Sequence, residues 1–235
     1  MAFLTTDPKI LIFAFLGGII PSLLWLWFWL KEEEEPEPKI LLTVVFFMGM
    51  IAVIIVLPIE KFIMSHVDSS DLRTILWASS EEILKYLAVL VVLYRTNNTN
   101  KPIDWPIYLV TVALGFAALE NSLFLIKPLS VDGSTLSLLT ATSLGQLRFL
   151  GANLLHTVSS GVIGIFIGLS FFMERIARKW FLFIGLLLAI TLHSAFNFFI
   201  IRNNGNDFMQ TFAYLWVVTI IVMLLFEKVR RMSEN

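Results

Sequence analysis

Ser79-Ser80-Glu81-Glu82-Ile83-Leu84-Lys85 interrupts an otherwise apolar run covering residues 72–94. A charged side chain near a bilayer centre costs about 2.5–3.5 kcal/mol on insertion scales, so an ionisable cluster inside a span marks a functional site by default. The reading of the whole chain turns on whether this run is a membrane helix and on what its carboxylates face.

Composition answers the first question. The chain has 235 residues, 57% of them hydrophobic, and a mean hydropathy of +0.83, too apolar for a domain whose surface must be covered by polar groups. The formal net charge is −1 and no Lys/Arg block is present, so nucleic acid is not expected as a partner. The chain has no cysteine, which excludes disulfides, thiol nucleophiles and thiolate-bound metals. Chemistry is left to Glu, His and Asn.

Apolar stretches long enough for ~30 Å of hydrocarbon cover residues 10–30, 40–59, 72–94, 105–126, 147–173, 180–201 and 208–226. The expected fold is all-α, a polytopic membrane protein of about seven transmembrane helices, in a single domain over 1–235 with a catalytic core at about 72–201. The first stretch is too long for a signal-peptide core and lacks a small-residue cleavage site, so it is expected to remain in the mature protein. The acidic turn at 31–39 reads as a solvated loop whose prolines stop both flanking helices. Helix 2 is expected to end near Pro58, with 60–71 a polar connection in which His66 is an ordinary surface histidine. Residues 127–145, mixing Ser, Thr and Leu, read as the longest connection, a plain loop rather than a re-entrant segment. Gly161, Gly164 and Gly168 form a small-residue stripe that lets a neighbouring helix approach closely.

Orientation follows from the Lys and Arg of alternate loops. With the N-terminus outside, the inner loops hold ten of these residues, notably Arg175, Arg178, Lys179, Lys228, Arg230 and Arg231, against six on the outer side. The expectation is N-out and C-in, in a prokaryotic cell membrane.

The spans carry further polar residues: Glu120 and Asn121 in helix 4, Asn153 and His156 in helix 5, His193 and Asn197 in helix 6. At 1.5 Å per residue, Glu81 and His156 lie ~14 Å below the outer face, while Glu120 and His193 lie ~22 Å and ~20 Å from the inner face. Four helices thus bring ionisable groups to one level, slightly outside the midplane. Glu81 and Glu82 stand four and three residues from Lys85, so one carboxylate can pair with the ammonium while the other stays available. Isolated Asn153 or Ser160 would be read as interhelical glue, and Ser79, Ser80, Ser159 and Ser160 as packing residues. A set of three Glu, one Lys and two His at one depth is not explained that way, because pairing need not consume them all.

A buried carboxylate beside a like charge can act as a general base near neutral pH. A His and an Asn four residues apart offer donors to a developing oxyanion. These parts suit hydrolysis of an amide by an activated water inside the membrane.

The motifs also resemble those of a known family. Glu81-Glu82-Ile83-Leu84-Lys85 matches EExxK, Gly115-Phe116-Ala117-Ala118-Leu119-Glu120-Asn121 matches GFxxxEN, and His156 with His193-Ser194-Ala195-Phe196-Asn197 matches the later His elements of the PrsW family of glutamic-type intramembrane proteases. This ordered, four-part resemblance covers helices 3 to 6. The family is related to the CAAX prenyl endopeptidases and bacterial Abi proteins, with motifs EExxxR, FxxxH and HxxxN. By that analogy Glu81 activates water, Lys85 holds Glu82, and His193 and Asn197 form the oxyanion site. Glu120 stands where the wider superfamily has His, which leaves open whether Glu120 or His156 partners Glu81. The resemblance implies cleavage of a membrane-tethered protein, such as an anti-sigma factor, near the outer surface.

No HExxH is present, and no cofactor is expected. If zinc is bound, Glu81, Glu120, His156 and His193 are the candidate ligands. The competing function is a proton-coupled transporter or channel, since Glu/His relays also mark ion paths. Against it, the sequence shows neither inverted repeats nor paired Gly/Pro-broken helices.

Overall fold

The computed structural model describes the backbone of residues 7–31, 36–94, 96, 98–129, 135–202 and 208–233, and their side chains outside 127–150 and 200–211. Among the described residues the chain forms seven helices and no strand: α1 (Pro8–Leu30), α2 (Lys39–His66), α3 (Ser70–Leu93), α4 (Asp104–Leu129), α5 (Thr135–Leu169), α6 (Arg175–Arg202) and α7 (Phe208–Ser233). Six are long and apolar enough to cross a membrane. The exception is α3, whose 24 residues span ~36 Å but carry Glu81, Glu82 and Lys85.

The hub is α4. Its apolar window is 83% buried, against 17% for α1, 28% for α6 and 22% for α7, so α4 is wrapped by protein while those three face outward. Tyr108, Leu109, Val112 and Leu114 of α4 form one core with Val45 and Phe46 of α2 and with Val158, Val162 and Ile163 of α5. Close backbone approach makes this packing fit. A Cβ on Gly49 would strike the Val112 carbonyl, and one on Gly115 the Phe46 carbonyl. On the other side of α4, a Cβ on Gly164 would lie 2.5 Å from Pro106 Cα, so the small-residue stripe of α5 faces α4. Exposed Ile12, Trp27, Ile54, Phe62, Leu187 and Leu224 cover the outside, as expected of a surface solvated by lipid rather than water.

Three boundaries differ from the sequence reading. The second helix does not stop at Pro58 but continues through it to His66, because a proline inside a membrane helix is tolerated where neighbouring groups take up the freed carbonyl. The stretch at 127–145 is not a long plain loop: α4 is helical to Leu129 and α5 starts at Thr135, since Ser and Thr lower helix propensity only modestly. The 35 residues of α5 make it ~52 Å long, well beyond the hydrocarbon thickness. Residues 32–35 of the acidic turn lie outside the described residues.

A tight hairpin joins α2 to α3. Ser69 Oγ accepts from the Leu72 amide at 3.3 Å, Arg73 Nη2 donates to the Asp68 carbonyl at 3.2 Å, and Arg73 Nε donates to the Val67 carbonyl. Trp77 Nε1 donates across the hairpin to the Glu60 carbonyl at 3.2 Å. His66, at the tip, is exposed and stacks on Phe62 with centroids 4.1 Å apart. These bonds set the register of α3 and thereby the depth of its charges.

Candidate active site

The α3 charges point inward: Glu81 is 7% exposed, and Glu82 and Lys85 are fully buried. Lys85 Nζ lies 2.8 Å from Glu82 Oε1 and 3.7 Å from Glu81 Oε2, so the ammonium is committed to Glu82. The same nitrogen sits 2.8 Å from His156 Nδ1 and 4.3 Å above the Phe116 ring. Glu82 is saturated. Its Oε1 also meets His193 Nδ1 at 2.8 Å, and its Oε2 accepts from Ser160 Oγ at 2.7 Å.

Glu81 is left as the available carboxylate. Its Oε2 is buried without a hydrogen-bond partner among the described residues, 3.8 Å from His156 Nδ1 and 3.7 Å from His193 Nε2. The two imidazoles are buried, with ring centroids 5.1 Å apart at 81°. Their tautomers follow from their neighbours' chemistry. A carboxylate cannot donate, so His193 donates from Nδ1 to Glu82, which leaves its Nε2 facing Glu81. An ammonium cannot accept, so His156 receives from Lys85 at Nδ1. Its Nε2 then donates to Glu120 Oε2 at 2.9 Å.

The structure therefore brings Glu81, Glu82, Lys85, Glu120, His156 and His193 together from four helices. Asn121 is buried next to Glu120 on α4, and Asn197 is half-buried one turn beyond His193. Asn153 is also buried, but on α1's side: Ser22 Oγ donates to its Oδ1 at 2.9 Å, which makes it interhelical glue. Ser160, read from sequence as packing, is a donor to Glu82.

Glu60 was missed altogether. Its half-buried side chain stands within electrostatic reach of Glu81, Glu120 and Lys85. A signal was available: Gly49, Val53 and Val56 form a buried row on α2 at helical spacing, and Glu60 is the next member of that row. Reading Pro58 as a helix end hid it.

Glu81, His156 and His193 each offer a ligand atom, all within 4.8 Å of one another. The chemistry of this set suits a metal. Glu81 Oε2 has no hydrogen-bond partner among the described residues, and carboxylates stand behind both imidazoles, Glu82 on His193 Nδ1 and Glu120 on His156 Nε2, as carboxylates do behind metal-bound histidines. To bind the ion, His156 Nδ1 would have to exchange the Lys85 ammonium, 2.8 Å away, for it. Glu120, a candidate ligand by sequence, stands behind His156 rather than with these three.

A family model described as "PrsW family intramembrane metalloprotease" matches residues 37–225. The chain belongs to the PrsW family. Curated relatives named "Protease PrsW" agree. The protein of Shouchella clausii (strain KSM-K16) is 28% identical over 160 residues, 68% of this chain and 67% of the relative. That of Halalkalibacterium halodurans is 28% identical over 123 residues, and that of Geobacillus kaustophilus (strain HTA426) 27% over 121, so this chain spans about half the length of each. No solved structure matches. The chain is thus a multi-pass membrane protein in a family of membrane proteases, a hydrolase class that acts on protein substrates. The family description and the three-atom ligand set make a metal ion such as zinc one that these residues could hold.

Proposed function

We propose that this PrsW-family chain is an intramembrane endopeptidase that hydrolyses a peptide bond of a membrane-tethered protein, of the anti-sigma-factor type. The cut falls in the outer half of the bilayer. The observation that carries the reading is Glu81 Oε2, buried without a hydrogen-bond partner among the described residues and turned to two imidazoles, while Glu82 next to it is engaged by Lys85, His193 and Ser160. A carboxylate in that position takes a proton from water and returns it to the leaving amine. The Nε2 lone pair of His193 accepts the water's second hydrogen and orients the oxygen. Asn197, one turn along α6, donates to the oxyanion. Lys85, Ser160 and Glu82 fix the His193 tautomer on which this depends.

Zinc, if bound, would be held by Glu81, His156 and His193, supplying Lewis-acid polarisation of the carbonyl and a water of lowered pKa. Glu120 would then be the base, because its side chain is 36% exposed at the edge of the cluster. Placement in the outer half, with N-out and C-in, is supported by the loop-charge count and by the matching depths of the ionisable residues.

The test is co-expression with a single-pass membrane substrate bearing an extracytoplasmic tail. Wild type releases the tail, whereas Glu81→Ala leaves it intact while keeping its own thermal unfolding profile. Release by a folded Glu81→Ala protein overturns the proposal. Cleavage that stops with a chelator and returns with zinc assigns the metal, and cleavage that survives chelation assigns Glu81 as the base.

A further inference from the structure

We propose that the apolar cavity between α5, α6 and α7 is a lipid site, in which the acyl chain of a bilayer phospholipid seats and braces the helix that carries His193 and Asn197. Binding of the chain goes beyond the protease reading and does not depend on it.

The cavity arises because α6 and α7 each pack along α5 but meet one another only sparsely among the described residues. Near its middle α6 sits tightly on α5: a Cβ on Gly185 would lie 2.9 Å from Phe166 Cβ, and Ala189, one turn on, is fully buried. Past Ala189 the packing opens. The space left is about 200 Å³, walled by Leu155 and Val158 of α5, Leu192 and Phe196 of α6, and Leu215 and Val218 of α7. Phe199 of α6 and Tyr214 of α7 also line it, stacked with centroids 6.0 Å apart. Both are exposed, which places them at the mouth, on the outside of the bundle.

Size and chemistry select the occupant. A water needs two to four polar partners, and an apolar cavity of about 150 Å³ stays dry yet takes up benzene. A helix with its side chains is about 10–12 Å across, too thick for a seam that two aromatic rings bridge. An extended peptide would bring amide groups that a wall with only the Ser159 and Tyr214 hydroxyls cannot satisfy. A hydrocarbon chain is thin and has no polar atom to satisfy. It is also already at the mouth, since exposed Leu188 of α6 and Val217 and Ile221 of α7 make the cavity continuous with the lipid-facing surface.

The occupant bears on the site through α6. His193 follows Leu192 and Asn197 follows Phe196, each about 100° round the helix, so one face of α6 lines the cavity while another holds His193 Nδ1 2.8 Å from Glu82 Oε1. Side chains around a void lose their dispersion contacts on that side. A seated chain restores them and props this end of α6 against α7.

The experiment uses the full chain in a steroid-based detergent, which has no alkyl tail to enter the cavity. Phosphatidylethanolamine at about 100 times its Kd raises the wild-type Tm by about 5–10 °C. Val218→Phe fills the space from within, melts above wild type without lipid, and loses most of the lipid-induced rise. An equal rise in both proteins overturns the proposal. Should Val218→Phe fail to fold, Ala195→Cys gives a single thiol in a chain that has none. Butyl methanethiosulfonate on that thiol abolishes the lipid response and reductant restores it, whereas a response indifferent to the label refutes the site. A phosphatidylethanolamine with a diazirine at the end of its acyl chain then maps the contact. Adducts on Leu155 and Leu215, 4% and 5% exposed, put the tail inside, and adducts confined to exposed residues count against it. Labelling displaced by the tail-bearing substrate assigns the cavity to substrate and overturns the lipid assignment. The melting and labelling of the chain alone need no cleavage, so failure of the protease reading leaves them standing.

Discussion

Replacing Lys85 with methionine keeps most of the side chain's volume and removes its ammonium. The wild-type nitrogen lies 2.8 Å from both Glu82 Oε1 and His156 Nδ1, with the Lys85 and Glu82 side chains both 0% exposed. Glu82 would keep Ser160 and His193 but lose the ammonium paired with it, and stranding one member of a buried ion pair costs about 3–5 kcal/mol. At roughly 2–4 °C per kcal/mol for a chain of this size, Tm falls by about 6–20 °C. Thermal unfolding in detergent, followed through the seven tryptophans, measures this directly. The double variant Lys85→Met/Glu82→Gln removes the stranded charge as well and regains much of the loss. A shift no larger than the ~1 kcal/mol expected of an exposed pair, or a double variant less stable than Lys85→Met, would refute the view that Lys85 neutralises Glu82.

Two further outcomes are expected away from the cluster. Burial pushes the Glu37 carboxyl up to about 7, with the nearby Asp104 charge adding to the rise and the Tyr108 hydrogen bond opposing it. The folded chain then holds that proton more tightly than the unfolded chain. Stability should fall as pH rises from 4.5 to about 7 and level off on either side, and Glu37→Gln should flatten that slope in Tm measured against pH; an unaltered slope would count against it. Gly115→Ala drives a Cβ into the Phe46 carbonyl, prying α2 from α4 at a cost of about 1–3 kcal/mol. A Tm equal to wild type would show that the two backbones are not in contact there.

Much of the site was legible because its parts obey helical spacing. Glu81, Glu82 and Lys85 had to share a face, and counting residues from the span ends put His156, His193 and Glu120 at a common depth. The structure joins them within hydrogen-bond range. Which carboxylate would be consumed was not legible. That depends on Ser160 and His193 both reaching Glu82 from other helices, and pairings between helices leave no trace in local spacing. Glu60 and the start of α5 were lost for a different reason. Pro58 and the Ser/Thr-rich stretch carry signals that end helices in water, and those signals are weaker where the backbone has no solvent to turn to. The glycines showed that helices approach closely without saying which, and the partner of Gly115 is Phe46 of α2.

The burial of α4 bears on how the molecule comes to exist. This helix carries Glu120 and Asn121 yet meets its partners on both sides of the chain order, α1 and α2 before it and α5 after it. A polypeptide halted after α4 would leave Glu120 without the histidine that engages it. Biogenesis therefore has a vulnerable interval, between the exit of Asn121 and the arrival of His156, during which the insertion machinery or the first three helices must shelter an incomplete site.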